Sequence, residues 1–227
     1  MMQTLADLIQ RHPETAKAIG APGRDWMTYG QLNALTRTVR TFLRGAGVGA
    51  QDRVAIVLPN GPEMAAAFIA VAQSATTAPL NPAYKEDEFA FYLEDLKARA
   101  IILEAGYNGP ARAAARRFGL TVIELTATEP AGMFTLLTDV TGTAADTAPT
   151  ADDVALILHT SGTTSRPKIV PLLQSNVAAS AENIRASLAL TAEDCCLNVM
   201  PLFHIHGLVA AVSASLAAGA SISCTPG

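Results

Sequence analysis

The stretch His159-Thr160-Ser161-Gly162-Thr163-Thr164-Ser165-Arg166-Pro167-Lys168 concentrates groups that hold anions. Thr160, Ser161, Thr163, Thr164 and Ser165 supply O–H donors, and their small side chains leave backbone N–H groups accessible. Such a loop can wrap phosphate oxygens. Gly162 permits a tight turn, Pro167 fixes the backbone before Lys168, and Lys168 adds a positive charge for the same anion. The composition also suits a flexible linker. Against that, the stretch directly follows the apolar run Val154–Leu158 and precedes a helical pattern beginning at Ser175. In open α/β sheets, ligands bind outside the carboxyl ends of strands, so the position is apt. It is not a triphosphatase P-loop, which needs Gly-x-x-x-x-Gly-Lys, because no glycine precedes Lys168.

Two other groups could do chemistry. His204 and His206, if in a strand, point to one face. Two imidazoles are too few for a metal centre and no Cys, Asp or Glu stands beside them, so no metal ligand is assigned; core or hydrogen-bonded histidines are the plain alternative. Cys195, Cys196 and Cys224 are an odd set, two of them adjacent, with neither disulfide-framework nor zinc spacing. They read as reduced, mostly buried thiols of a cytoplasmic protein.

The elements that would position these groups follow from periodicity. Residues 32–43 carry a helical stripe of Leu32, Leu35, Val39, Phe42 and Leu43, ended by Gly45, Gly47 and Gly49. Strand 54–58 stops at Pro59-Asn60-Gly61, and Pro62 opens a helix to about residue 73. Strands at 77–80, 100–103 and 121–125 alternate with helices at 86–97 and 111–118. Residues 126–153 read mostly as a loop. A strand at 154–158, a helix at 175–188, a strand at 197–200, a helix at 206–217 and a strand at 220–223 complete the pattern. Alternation of this kind predicts an α/β fold: a mostly parallel, doubly wound sheet flanked by helices. The nearly continuous apolar runs fit strands covered on both faces.

Composition narrows the partners. The chain has 227 residues, half of them hydrophobic and 16% charged, with a net charge of −4. That balance supports a sizeable core and makes no electrostatic case for nucleic acid or an anionic membrane surface. The first residues lack the basic and apolar regions of a secretory leader. From Cys195 to Gly227 there is no Asp, Glu, Lys or Arg, but Asn198, Pro201, His204 and His206 break the run. A buried core segment is therefore expected rather than a membrane span. A domain rarely ends on such a stretch, so the natural chain is expected to continue.

Residues 160–168, Thr-Ser-Gly-Thr-Thr-Ser-Arg-Pro-Lys, resemble the signature loop of the adenylate-forming superfamily, which includes acyl-CoA synthetases, peptide-synthetase adenylation domains and beetle luciferases. Residues 27–32, 52–60, 79–82 and 200–207 resemble further segments of the same superfamily. Ser165 stands where Gly is commonest and, with Arg166, is similar to the oxalate–CoA ligase branch. Ile169 also replaces a usual Gly, and its β-branched side chain excludes positive φ.

The resemblance implies an AMP-forming acid–CoA ligase using ATP, Mg2+ and coenzyme A, with oxalate or another small carboxylate as substrate. Thr160, Ser161, Gly162, Thr163, Thr164, Ser165 and Lys168 would bind the triphosphate, Lys168 steadying the pyrophosphate as the catalytic cation. His204 would lie beside the carboxylate, with His206 as a second donor. Fatty-acyl- or coumarate-type CoA synthetases are alternatives, as is a non-catalytic nucleotide-binding or scaffold domain. The resemblance also places residues 49–190 in one α/β subdomain. Residues 1–48, as helices, and 191–227 fall in part of a second. The adenine, ribose, metal and hinge elements of the superfamily lie beyond residue 227. This stretch alone is thus expected to be inactive and to self-associate through exposed apolar surface.

Overall fold

The computed structural model describes residues 3–160 and 167–226. In chain order the elements are α1 (Leu5–Ile9), β1 (Lys17–Gly20), β2 (Met27–Thr28), α2 (Tyr29–Gly45), β3 (Arg53–Val57), α3 (Pro62–Ala72), β4 (Thr76–Pro79), α4 (Glu86–Leu96) and β5 (Ala100–Glu104). Then come α5 (Pro110–Arg117), β6 (Thr121–Ala127), β7 (Phe134–Leu137), β8 (Val154–Thr160), β9 (Lys168–Leu173), α6 (Gln174–Ser187) and β10 (Cys195–Asn198). A π-helix (His206–Ser213), α7 (Ala214–Ala218) and β11 (Ser221–Cys224) follow.

Among the described residues the strands form two sheets. The larger runs β7-β6-β5-β3-β4-β8-β9 and the smaller β10-β11-β1-β2. Neighbours at the centre of the larger sheet are parallel, while β7 and β9 are antiparallel edges. Alternation along β3 shows why its run is apolar throughout. Val54 and Ile56 enter one apolar cluster with α2 and α3, whereas Ala55 and Val57 enter another with α4 and α5. The doubly wound reading of this sheet therefore holds.

Helix α3 joins the two sheets. It touches β3 and β4 of the larger and β1 and β11 of the smaller, as well as α2 and the π-helix. All its residues but Glu63 are buried, and its sequence PEMAAAFIAVA is apolar on every side, as such a wedged helix must be. Tyr29, which follows β2 at the start of α2, braces the smaller sheet itself: its buried Oη donates to the Ala220 carbonyl, just before β11, at 2.7 Å. Arg44, near the end of α2, ties that helix to loops that flank the larger sheet. Its nearly buried guanidinium donates to the carbonyls of Val48, Ser74 and Thr147, each at 2.8 Å.

Several expectations need correction. The 126–153 stretch contains β7, which pairs with β6 from Glu124↔Leu137 to Ala127↔Phe134 and buries Phe134. A strand, β9, intervenes between the hydroxyl-rich stretch and α6; it holds Pro171, which an edge strand tolerates. The N-terminal region is not purely helical, since β1 and β2 belong to the smaller sheet. The helix expected from 206 to 217 opens as a π-helix. Ser213 Oγ donates to the Leu208 carbonyl five residues back at 2.8 Å, and a side chain at Gly207 would meet the Pro201 carbonyl at 2.7 Å. Cys224 is buried as expected, but Cys195 is exposed. Leu188, Leu197, Val199 and Ile205 are each more than half exposed. No helix among the described residues is long and apolar enough to cross a membrane.

Candidate active site

Strands β8 and β9 form a hairpin whose connection carries the hydroxyl-rich stretch. Ser161, Gly162, Thr163, Thr164, Ser165 and Arg166 lie outside the described residues. Its two ends are described. Thr160, the last residue of β8, sits opposite Lys168, the first of β9, and both are exposed. Antiparallel pairing thus sets a hydroxyl and an ammonium side by side at the mouth of the hairpin. Lys168 makes no ion pair among the described residues. Its charge is available to a mobile anion. One residue further in, Ile169 pairs with His159 and packs toward the α4 cluster. The β-branched residue suits this extended backbone.

Residue His159 is the polar member of the buried part of β8. Its side chain is only 6% exposed, and Nε2 lies 3.1 Å from Asp95 Oδ2 on α4. The ring of Tyr92, one turn before Asp95, meets the imidazole edge-on with centroids 4.6 Å apart. Burial pushes the His159 pKa down, and Asp95 pulls against that shift. Beneath this pair, Tyr92 stacks on Tyr84 at 4.8 Å.

Parallel pairing of β4 with β8 aligns Thr77 with Leu156. Leu80, just past the end of β4, shares an apolar cluster with Ile157 of β8 and Ile169 of β9, and it is a wall of a cavity of about 340 Å³. That cavity opens where the carboxyl ends of β3, β4, β10 and β11 converge, lined by Asn60, Met64, Leu80, Pro201, Leu202 and Pro226 among others. This is the ligand position of open α/β sheets. Asn60 holds it together: its Oδ1 accepts from the Leu202 N–H at 2.9 Å, and its Nδ2 donates to the Thr225 carbonyl at 3.0 Å. One side chain after β3 thereby fixes the segments that follow β10 and β11.

The histidine pair is not in a strand. Strand β10 ends at Asn198, so His204 falls in the following turn, against the Phe203 ring at 4.5 Å, and His206 begins the π-helix. Both are exposed. His206 lines a separate cavity of about 480 Å³ with Asn183, Ile184, Leu197 and Met200. The shared-face argument fails because the apolar residues just before the pair are a turn, not a strand. Asn60, Asp95 and His159 were not singled out from sequence. Asn60 read only as a strand stop, and nothing local joins Asp95 to a residue 64 positions later.

Comparison with known proteins gives one consistent result. The model of the AMP-binding enzyme family matches residues 5–227. The chain is 37% identical over 225 residues to an oxalate–CoA ligase of Arabidopsis thaliana, covering 96% of this chain and 44% of that protein. It is similar in structure to ATP-bound MatB from Rhodopseudomonas palustris, with TM-score 0.81 and 26% identity over 98% of this chain and 44% of that one. It is also similar to the o-succinylbenzoate CoA synthetase MenE of Bacillus subtilis, solved with its acyl-adenylate intermediate. There the TM-score is 0.76 at 25% identity, covering 97% of this chain and 55% of that one. The chain thus spans less than half the length of the curated relative and of MatB, and little more than half of MenE.

Proposed function

The chain belongs to the AMP-binding enzyme family, and on that premise we propose that it supplies the triphosphate grip of an AMP-forming acid–CoA ligase acting on oxalate or a similarly small carboxylate. In the first step a carboxylate oxygen attacks the α-phosphorus of Mg-ATP, forming the acyl–phosphate bond as the bond to pyrophosphate breaks. In the second, the CoA thiol displaces AMP from the acyl carbonyl. Mg2+ arrives on the nucleotide as part of the substrate.

The observation that carries this reading is the hairpin itself: Thr160 and Lys168 face each other at the carboxyl edge of the larger sheet, one residue beyond Ile169, which packs on the apolar cluster that includes the cavity wall Leu80. Thr160, Ser161, Thr163, Thr164 and Ser165 would donate hydrogen bonds to β- and γ-phosphate oxygens, and Gly162 would let the backbone approach closely. The Lys168 ammonium would offset the charge that builds on the leaving pyrophosphate. Positioning and charge stabilisation are the main work in such a transfer. Residues 1–48 and 191–227 would form one α/β unit and 49–190 another, with α3 between the two sheets. His204 and His206 are proposed as polar groups near the acyl end; their exposure leaves them free to meet a carboxylate.

The choice of oxalate rests on Ser165 and Arg166 in the loop and on the identity to the Arabidopsis oxalate–CoA ligase. A screen of carboxylates on the complete gene product, read as pyrophosphate release, tests it. Oxalate-dependent release is expected. Release with fatty or aryl acids alone would overturn the substrate, and no release with any acid would overturn the ligase.

A further inference from the structure

The hairpin strands are each held to the body of the protein one residue inside the hydroxyl-rich connection. On β9 the hold is apolar, through Ile169. On β8 it is polar and directional, through His159 Nε2 and Asp95 Oδ2 at 3.1 Å. Asp95 and Tyr92 stand three apart on α4 and so present one face. The carboxylate meets the imidazole at its nitrogen while the tyrosine edge meets its ring. Tyr92 is itself stacked on Tyr84, which packs edge-on to buried Phe89. The imidazole is therefore set in both position and tilt by an element outside the hairpin.

A leucine would fill the same space in a face that is otherwise apolar, because Ile157, the preceding residue on that face, lies in the α4 cluster. Burying a polar group is stabilising only when its partner is well placed. What the pair adds over an apolar contact is direction. The residue it orients is followed immediately by Thr160.

We propose that Asp95 and His159 are a positioning pair that anchors the exit of β8 to α4 and so holds Thr160 in register with Lys168 for triphosphate binding. Neither side chain touches the nucleotide. The inference rests on the proposed function, because it assigns the pair to the loop's grip on ATP.

The test uses the complete gene product and pyrophosphate release, with KM for Mg-ATP and kcat resolved separately. Asp95→Ala and His159→Leu are expected to raise KM for Mg-ATP roughly tenfold, the size expected from losing a charge-assisted hydrogen bond. The KM for the carboxylate should stay in place. His159→Gln, which keeps an N–H within reach of Asp95, is expected to recover most of the loss. Asp95 is 40% exposed at its side chain, so its variant keeps the test open should His159→Leu fail to fold. An unchanged KM for Mg-ATP in Asp95→Ala, alongside a strong effect of Lys168→Ala, would overturn the pair and leave the loop reading standing. A lowered melting temperature without a change in that KM would overturn it equally, as a purely structural contact. If Lys168→Ala were silent too, the loop reading would fall and the pair's role with it.

Discussion

Replacing Lys168 with alanine in the complete gene product is expected to lower kcat for pyrophosphate release by about 10²- to 10³-fold, while the melting temperature stays within about 1 °C. The size follows from what one charged or oriented donor contributes where charge develops in a transition state, about 2–4 kcal/mol. The unchanged stability follows from position. Lys168 is exposed at the first residue of an edge strand and makes no ion pair among the described residues. Lys168→Arg keeps the charge but spreads it over a planar fork, so it should restore part of the rate and not all of it. Loss of activity accompanied by a large fall in melting temperature would place Lys168 in the scaffold rather than the chemistry.

The largest expected effect on stability lies at Phe68. This side chain is fully buried in α3, the helix that touches strands of both sheets. Phe68→Ala leaves a cavity that neither sheet can close without moving toward the other, so the full penalty of about 3–5 kcal/mol is expected. For a chain of this length that corresponds to a fall in melting temperature of roughly 6–20 °C. The penalty is a large share of the 5–15 kcal/mol that typically separates folded from unfolded states. A urea titration would show a lower midpoint. A loss of unfolding free energy below about 1 kcal/mol in that titration would mean that α3 is not the common support of the two sheets.

How much of this was legible in the sequence depends on distance along the chain. The larger sheet's central strands and the helices between them were readable because each is a continuous apolar or periodic run. The hydroxyl-rich stretch was readable because all its chemistry lies within ten residues. Strands β1, β2, β7 and β9 were missed for a shared reason: each is an edge or near-edge strand whose existence is decided by its partner. β9 carries Pro171, which masks it further. The π-helix was read as α because the two share an apolar pattern over eight residues.

The supports of the candidate site were not legible at all. Asn60 acts on residues 142 and 165 positions away, and Asp95 on one 64 away. Such contacts leave no local period, cap or turn signal. For His204 and His206 the condition for a shared face, a strand through both, is not met, although His206 does open the helical element expected from that residue. Strand β10 ends at Asn198, two residues before the expected end, and Pro201 starts a turn that carries His204. Residue types that do chemistry can thus be found in a single sequence, whereas the groups that aim them emerge only from the fold.

The central claim is that the connection between β8 and β9 grips the triphosphate, and backbone hydrogen exchange in the complete gene product tests it most directly. Saturating Mg-ATP should slow exchange across residues 160–169, and inorganic pyrophosphate alone should reproduce much of that slowing. Protection by Mg-ATP elsewhere in the protein, with residues 160–169 exchanging at their unliganded rate, would contradict the account.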